Sequence, residues 1–254
     1  MSLSTGQGGP LISFVSASGG VGKSTLALMA AWRAASAGVS VALVEADLQF
    51  GDIGYWLGFD DEAPSLAAGA ACEPIHLASK LVLYKAPPLP ELAEDVAEGV
   101  ARLALGIRRA YDLVIADTGQ FWSGITAELV VNAGIVVNVM DIRPTSVMGA
   151  VRAMELCSRM GVPATRIVSV YNRYSSRARL APGQVAAALH SKELVCVGEG
   201  RSVVDASLCA GALEELASSG SALVAGVDDM LTCVLPRVGV AFAAPKHARR
   251  RGRF

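Results

Sequence analysis

Six short runs of apolar, mostly β-branched residues fix the architecture open to this chain: positions 11–16, 39–45, 81–84, 113–116, 135–140 and 167–171. They are nearly continuous in hydrophobicity instead of alternating. That is the pattern of strands covered on both faces, as in a parallel sheet between helical layers. Stretches of helical length separate them at 24–37, 91–109, 124–132 and 144–160. The last is the most clearly marked. Pro144 suits a first turn, Val147, Val151, Met154 and Cys157 share a face, and Gly161 with Pro163 ends it. Strand–helix alternation of this kind predicts an α/β fold with a doubly wound, mostly parallel sheet. The stretch 60–75 is Ala-rich and reads as irregular, and Ala86-Pro87-Pro88-Leu89-Pro90 reads as a loop leaving a strand. We read 1–10 as a disordered N-terminus, 11–236 as one domain and 237–254 as a basic tail.

The first run continues directly into Ser16-Ala17-Ser18-Gly19-Gly20-Val21-Gly22-Lys23-Ser24-Thr25 and then into an amphipathic helix. This is a phosphate-binding loop in chemical register. Glycines let successive backbone N–H groups approach phosphate oxygens with no Cβ in the way. The helix start contributes its positive dipole end. Lys23 supplies a mobile charge toward the β- and γ-phosphates, and the Ser24 hydroxyl is placed for Mg²⁺. The strict motif begins with Gly where this chain has Ala17. A glycine-rich turn that binds nothing is the competing reading, and Gly-Lys-Ser between a strand and a helix argues against it. ATP and Mg²⁺ are therefore the expected cofactors.

Composition narrows the setting. Of 254 residues, 52% are hydrophobic and 18% charged, which suits a large core and excludes a disordered chain. Asn132, Asn138 and Asp141 interrupt the longest apolar stretch, so no bilayer-spanning run is present. The first ten residues lack a signal peptide's layout. Cys72, Cys157, Cys196, Cys209 and Cys233 are odd in number and widely spaced, as expected of reduced thiols in the cytoplasm. His76, His190 and His247 form no metal or catalytic-triad spacing. Net charge is −1, yet residues 246–254 carry five positive charges, which leaves −6 on the remainder. Such a tail suits either a disordered soluble segment or contact with an anionic membrane or nucleic acid.

From residue 11 to about 220 the chain resembles the ParA/MinD group of P-loop ATPases with a deviant Walker A motif. The resemblance lies in Ser18-Gly19-Gly20-Val21-Gly22-Lys23-Ser24, in Val44 to Asp52 after the second run, and in Tyr111 to Thr118. It continues in Val170-Tyr171-Asn172-Arg173-Tyr174 and in Val197-Gly198-Glu199-Gly200 with the following Ser202 to Ser207. Within the group, Asp47-Leu48-Gln49-Phe50-Gly51-Asp52 and Asn172-Arg173-Tyr174 are most similar to the TadZ/CpaE branch, which helps place Flp/Tad-type pili. That branch usually carries a receiver-like domain ahead of the ATPase domain, and only about ten residues precede the first run here.

The resemblance implies an ATP-dependent homodimer that recruits pilus-assembly or polar-localisation proteins, drawn from the cytoplasm to the membrane or cell pole. A nucleotide-binding scaffold without turnover, or a chromosome- or division-site-partitioning ATPase, fits the same motifs. It implies that Asp47 helps orient the attacking water and lies near the metal, and that Asp117 binds Mg²⁺ beside Ser24. Asp47 also suits a loop or helix cap, and Asp117 a turn. Asp52 is a second candidate for the role of Asp47 and also reads as a cap, and Glu45 holds a position where the group usually has Asp. Asn172 suits either the adenine edge or a strand-end turn, and Gly198 lies in the segment expected to close over the base. Ser18 stands where typical members have a second lysine that reaches a partner's phosphates, so hydrolysis is expected to be slow or absent. Arg143 or Arg173 could replace the lost charge. Phe121, Trp122 and Trp56 lie near strand or loop ends and suit packing or a partner surface.

Overall fold

The computed structural model describes residues 8–67, 72–191 and 193–246. Eight strands form one sheet: β1 (Leu11–Val15), β2 (Val41–Ala46), β3 (Ile75–Ala78), β4 (Leu81–Tyr84), β5 (Leu113–Thr118), β6 (Ile135–Met140), β7 (Ile167–Tyr174) and β8 (Leu194–Gly198). Their spatial order is β3-β4-β2-β5-β1-β6-β7-β8. Every pairing is parallel except β3 with β4, which closes one edge as an antiparallel hairpin. Among the described residues, nine helices connect or cover the strands: α1 (Lys23–Ser36), α2 (Ile53–Trp56), α3 (Ala93–Gly106), α4 (Gly124–Asn132), α5 (Pro144–Arg159), α6 (Pro182–Ala188), α7 (Arg201–Cys209), α8 (Leu213–Ala217) and α9 (Ala222–Val234).

The fully apolar strands are sandwiched as their composition requires. Ile12, Phe14, Val41, Leu43, Leu113 and Ile115 pack on one face with α1, α8 and α9. Leu11, Val15, Ala42, Val44, Val114 and Ala116 pack on the other with α3 and α4. Successive residues thus serve opposite layers, the period-two geometry of a strand.

The doubly wound, mostly parallel sheet is as expected, and the differences lie at its margins. Two edge strands, β3 and β8, fall outside the expected runs: β3 carries His76 and is mixed in burial, and β8 is a short apolar run, Leu194-Val195-Cys196-Val197, mostly half-buried. The helix expected over 91–109 is divided: a 3₁₀ turn at Pro90–Leu92, then α3, then a second 3₁₀ turn at Ile107–Arg109. Residues 237–246, assigned from sequence to a tail, lie on the domain instead. Val238, Val240 and Phe242 pack against the core. Arg33 is buried on α1 and grips Asp228 of α9 through Nε and Nη2, both at 2.7 Å. Its Nη2 also donates to the Pro245 carbonyl at 2.8 Å. At the other end Gly9 exchanges two hydrogen bonds with Arg108, each 2.6 Å. Residues 1–7 of the expected disordered N-terminus and 247–254 of the basic tail lie outside the described residues.

Candidate functional site

Parallel strands all present their carboxyl ends at one edge, and the loops there build the site. β1 delivers the loop 16–22, β2 delivers Asp47, β5 ends on Asp117 and Thr118, and β7 carries Asn172. Register brings the acidic groups close, because Glu45 and Phe14 both pair with Asp117 across neighbouring strands. A cleft of about 420 Å³ opens above these tips.

The loop has the conformation its glycines allow. Gly20 and Gly22 adopt φ of 68° and 89°, the left-handed region that costs other residues energy. Gly22 immediately precedes α1, whose first turn holds no acidic side chain. The helix N-terminus is thus left to an anion. Lys23 is buried, and its Nζ lies 2.6 Å from Asp117 Oδ1 and 3.4 Å from Ser24 Oγ. The buried Asp117 carboxylate is the only charge that this ammonium pairs with among the described residues. A phosphate arriving on the loop would offer Lys23 a second anionic partner at the same place.

Asp47 lines the cleft, and its Oδ1 accepts from the Phe50 N–H at 3.2 Å. A Cβ built at Gly119 would lie 3.4 Å from the Asp47 carboxylate, so the two loop tips are in contact. Asp52, expected to cap a helix, makes no side-chain cap bond at the start of α2 and faces the cleft. Burial, then the neighbouring Asp47 and Asp117, hold its carboxyl above the usual range. Glu45 is a structural anchor. Its two oxygens accept from Ile53 N–H at 2.6 Å and Ala86 N–H at 2.9 Å. Burial pushes its carboxyl up to about 7 against the lowering effect of those two bonds.

Asn172 donates through Nδ2 to the Val21 carbonyl at 2.8 Å, while its buried Oδ1 has no protein partner among the described residues. An orphaned acceptor on a cleft wall suits an N–H donor such as an exocyclic amine of a base. Ser18, Gly19, Gly20, Val21, Gly22, Lys23, Ser24 and Thr25 all line the cleft. Gly198 does not. Its Cα packs on α9, where an added Cβ would meet Ala222 Cβ at 2.7 Å. The wall it was expected to form is made by Gly200, Arg201, Val204 and Leu208 at the start of α7 and along it. Asp117 lies beneath the loop, reached through Lys23, and is outside the lining.

The cleft also holds groups that the motifs do not announce. Gln120, Arg173 and Arg201 line it, and exposed Phe50 and half-buried Trp56 stand at its Asp47 side. Phe121 is exposed at 75%, and Trp122 donates weakly from Nε1 to the Ser16 carbonyl at 3.4 Å. Gln120 follows Asp117 by three positions and could have been sought on that ground. Arg201 carried no such signal, because its place depends on how β8 turns into α7.

A magnesium ion fits this donor set. Ser24 Oγ, Asp47 and Asp117 are hard oxygen donors at one strand edge, and Mg²⁺ commonly combines one or two carboxylates with phosphate oxygens and water. Among the described residues no group of three or more His, Cys, Asp or Glu could hold a metal by itself. The set therefore suits an ion completed by a nucleotide and not a free-standing metal centre.

A profile of the ParA family, described as NUBPL iron-transfer P-loop NTPase, matches residues 10–84. No curated protein matches the chain. Among solved structures, the septum site-determining protein MinD of Pyrococcus horikoshii OT3, complexed with Mg-ADP, superposes with a TM-score of 0.76 at 16% identity. The match covers 91% of this chain and 99% of that one. A ParA family ATPase from Chlorobium tepidum TLS gives 0.72 at 20% identity, covering 88% and 98%. A plasmid partition protein of Borrelia burgdorferi B31, bound to AMPPNP, gives 0.67 at 17% identity, covering 91% and 100%. The fold is therefore that of the ParA/MinD P-loop NTPases, and the profile match over the loop and β2 supports the same grouping.

Proposed function

We propose that this chain is an ATP-binding switch protein of the ParA/MinD type, a nucleotide-dependent homodimer with slow hydrolysis that positions Flp/Tad-type pilus assembly machinery. The observation that carries the nucleotide reading is the Lys23–Asp117 pair, 2.6 Å long and buried beneath a glycine loop at a helix start. It holds a cation and a carboxylate at the point where a triphosphate and its metal would meet. The Mg-ADP and AMPPNP bound to two proteins of the same fold agree with it.

In this reading the amides of 19–24 and the Lys23 ammonium bind the phosphates, and Asn172 Oδ1 accepts from adenine. Ser24, Asp47 and Asp117 would hold Mg²⁺, which supplies charge neutralisation at the β- and γ-phosphates. Asp47 also accepts a hydrogen bond from the attacking water through Oδ2, the oxygen that the Phe50 amide does not hold. The pilus assignment rests on the wording of 47–52 and 172–174, and the cytoplasmic assignment on the unpaired cysteines. No helix among the described residues is long and apolar enough to cross a membrane. Contact of residues 246–254 with membrane or nucleic acid stays part of the proposal.

Ser18 favours a second reading, a scaffold that binds nucleotide without turning it over. Septum-site determination and plasmid partition, the roles that two proteins of the same fold are named for, keep a partitioning ATPase as a third. Phosphate release from wild type and Ser18→Lys, measured with ATP-dependent elution volume, tests the switch. Wild type is expected to dimerise and to release phosphate slowly. Ser18→Lys is expected to approach the roughly 10³–10⁵-fold gain that an added phosphate-facing cation can give. An elution volume indifferent to ATP contradicts the dimer, and no gain in Ser18→Lys contradicts the account of slow turnover.

A further inference from the structure

The outer rim of the phosphate loop is held by a side chain that lies outside the cleft. Arg143, the residue before α5, donates from Nη2 to the Gly19 carbonyl at 3.0 Å. Its Nε sits 2.9 and 2.8 Å from the two oxygens of Asp141, a carboxylate with a side chain only 4% exposed. Asp141 Oδ1 also accepts from the Arg143 backbone N–H at 3.2 Å, and Arg173 Nη1 approaches Oδ2 at 3.9 Å. The guanidinium is therefore pinned at one end to a buried anion and at the other to the loop.

A trans peptide is planar, so its C=O and the following N–H point in opposite directions. Among the described residues no peptide is cis. Drawing the Gly19 carbonyl outward onto Arg143 turns the Gly20 N–H back toward the cleft that Gly19 and Gly20 line. Asn172 does the same two peptides further on, because its hold on the Val21 carbonyl fixes the direction of the Gly22 N–H. Glycine-rich backbone has many conformations to lose on binding. Fixing these two carbonyls in advance removes part of that cost, the general benefit of a preorganised site.

We propose that Arg143, anchored by Asp141, is a positioning residue that presets the phosphate loop, with Asn172 as its counterpart on the Val21 carbonyl. The proposal rests on the nucleotide-binding reading above. It differs from simple attraction between Arg143 and phosphate in the sign of one result. Asp141→Asn removes a negative charge near the cleft, so attraction alone predicts tighter anion binding. Loosening of the clamp predicts weaker binding. Arg143→Lys supplies a second discriminator. It keeps the charge, yet a single ammonium cannot span both Asp141 oxygens and the Gly19 carbonyl in this geometry.

Calorimetry with Mg²⁺ and either ATP or inorganic tripolyphosphate, on wild type, Asp141→Asn, Arg143→Lys and Asn172→Ala, tests this. Arg143 is half exposed, so its substitution leaves the core intact. Each variant is expected to bind both ligands about tenfold more weakly, the scale of one charge-assisted hydrogen bond. Loss with tripolyphosphate matters most for Asn172→Ala, because a residue that only reads a base would leave that ligand unaffected. Unchanged or tighter binding by Asp141→Asn and Arg143→Lys, with wild type binding normally, overturns the positioning role alone. Failure of wild type to bind either ligand overturns the nucleotide reading and this inference together.

Discussion

Gly22 shows how closely the phosphate loop depends on single residues. Its φ is 89°, and a Cβ there would lie 2.4 Å from Asn172 Nδ2. Gly22→Ala must therefore pay a left-handed backbone penalty of about 1–2 kcal/mol and displace Asn172 from the Val21 carbonyl. The expected result is a lower urea midpoint with weaker ATP binding, and an unchanged midpoint would contradict this geometry. Most of these residues were legible in the sequence, because the loop spacing fixes its own chemistry. The places of Lys23 and Asp117 were legible too, Lys23 from the loop spacing and Asp117 from the apolar run that it follows. The clamp was not legible. Arg143 and Gly19 are separated by 124 positions, and only the sheet order brings β6 beside β1. Gly198, which the resemblance places in the loop over the base, packs against the start of α9, where it admits the backbone of Ala222.

At the scale of elements, the segment after β2 is tied down from below. Glu45 holds the first amide of α2 and the Ala86 amide after β4, so one carboxylate joins three elements. Lys85 is buried beside it, 5.0 Å from the centre of the Tyr55 ring on α2, and the absence of a side chain at Gly54 makes room for its methylenes. A cation over an aromatic face accounts for part of that burial. Glu45→Ala leaves two buried amides without an acceptor, at about 1–3 kcal/mol for each. Thermal unfolding should show that loss, and the Asp47 loop should become accessible to protease. A variant as stable and protease-resistant as wild type would refute the anchor. The sequence revealed central strands and long helices through their uniform apolar runs. A four-residue helix such as α2 has too little length for any period to appear, and β3 and β8 lie at the sheet edges with half-exposed faces.

Over the whole molecule, the reversal of strand order around β1 places loop, acidic tips and Asn172 on one edge, with α1 and α9 behind them. Arg33 locks those two helices together and draws in the chain at Pro245, so the described C-terminal residues belong to the body. The account of the molecule depends on that edge being a phosphate site, and calorimetry with Mg-ATP tests it most directly. Wild type should bind, and Lys23→Gln, which removes the charge facing Asp117 while keeping a polar side chain, should bind at least about tenfold more weakly. No heat of binding in wild type, or equal affinity in the two proteins, would contradict it.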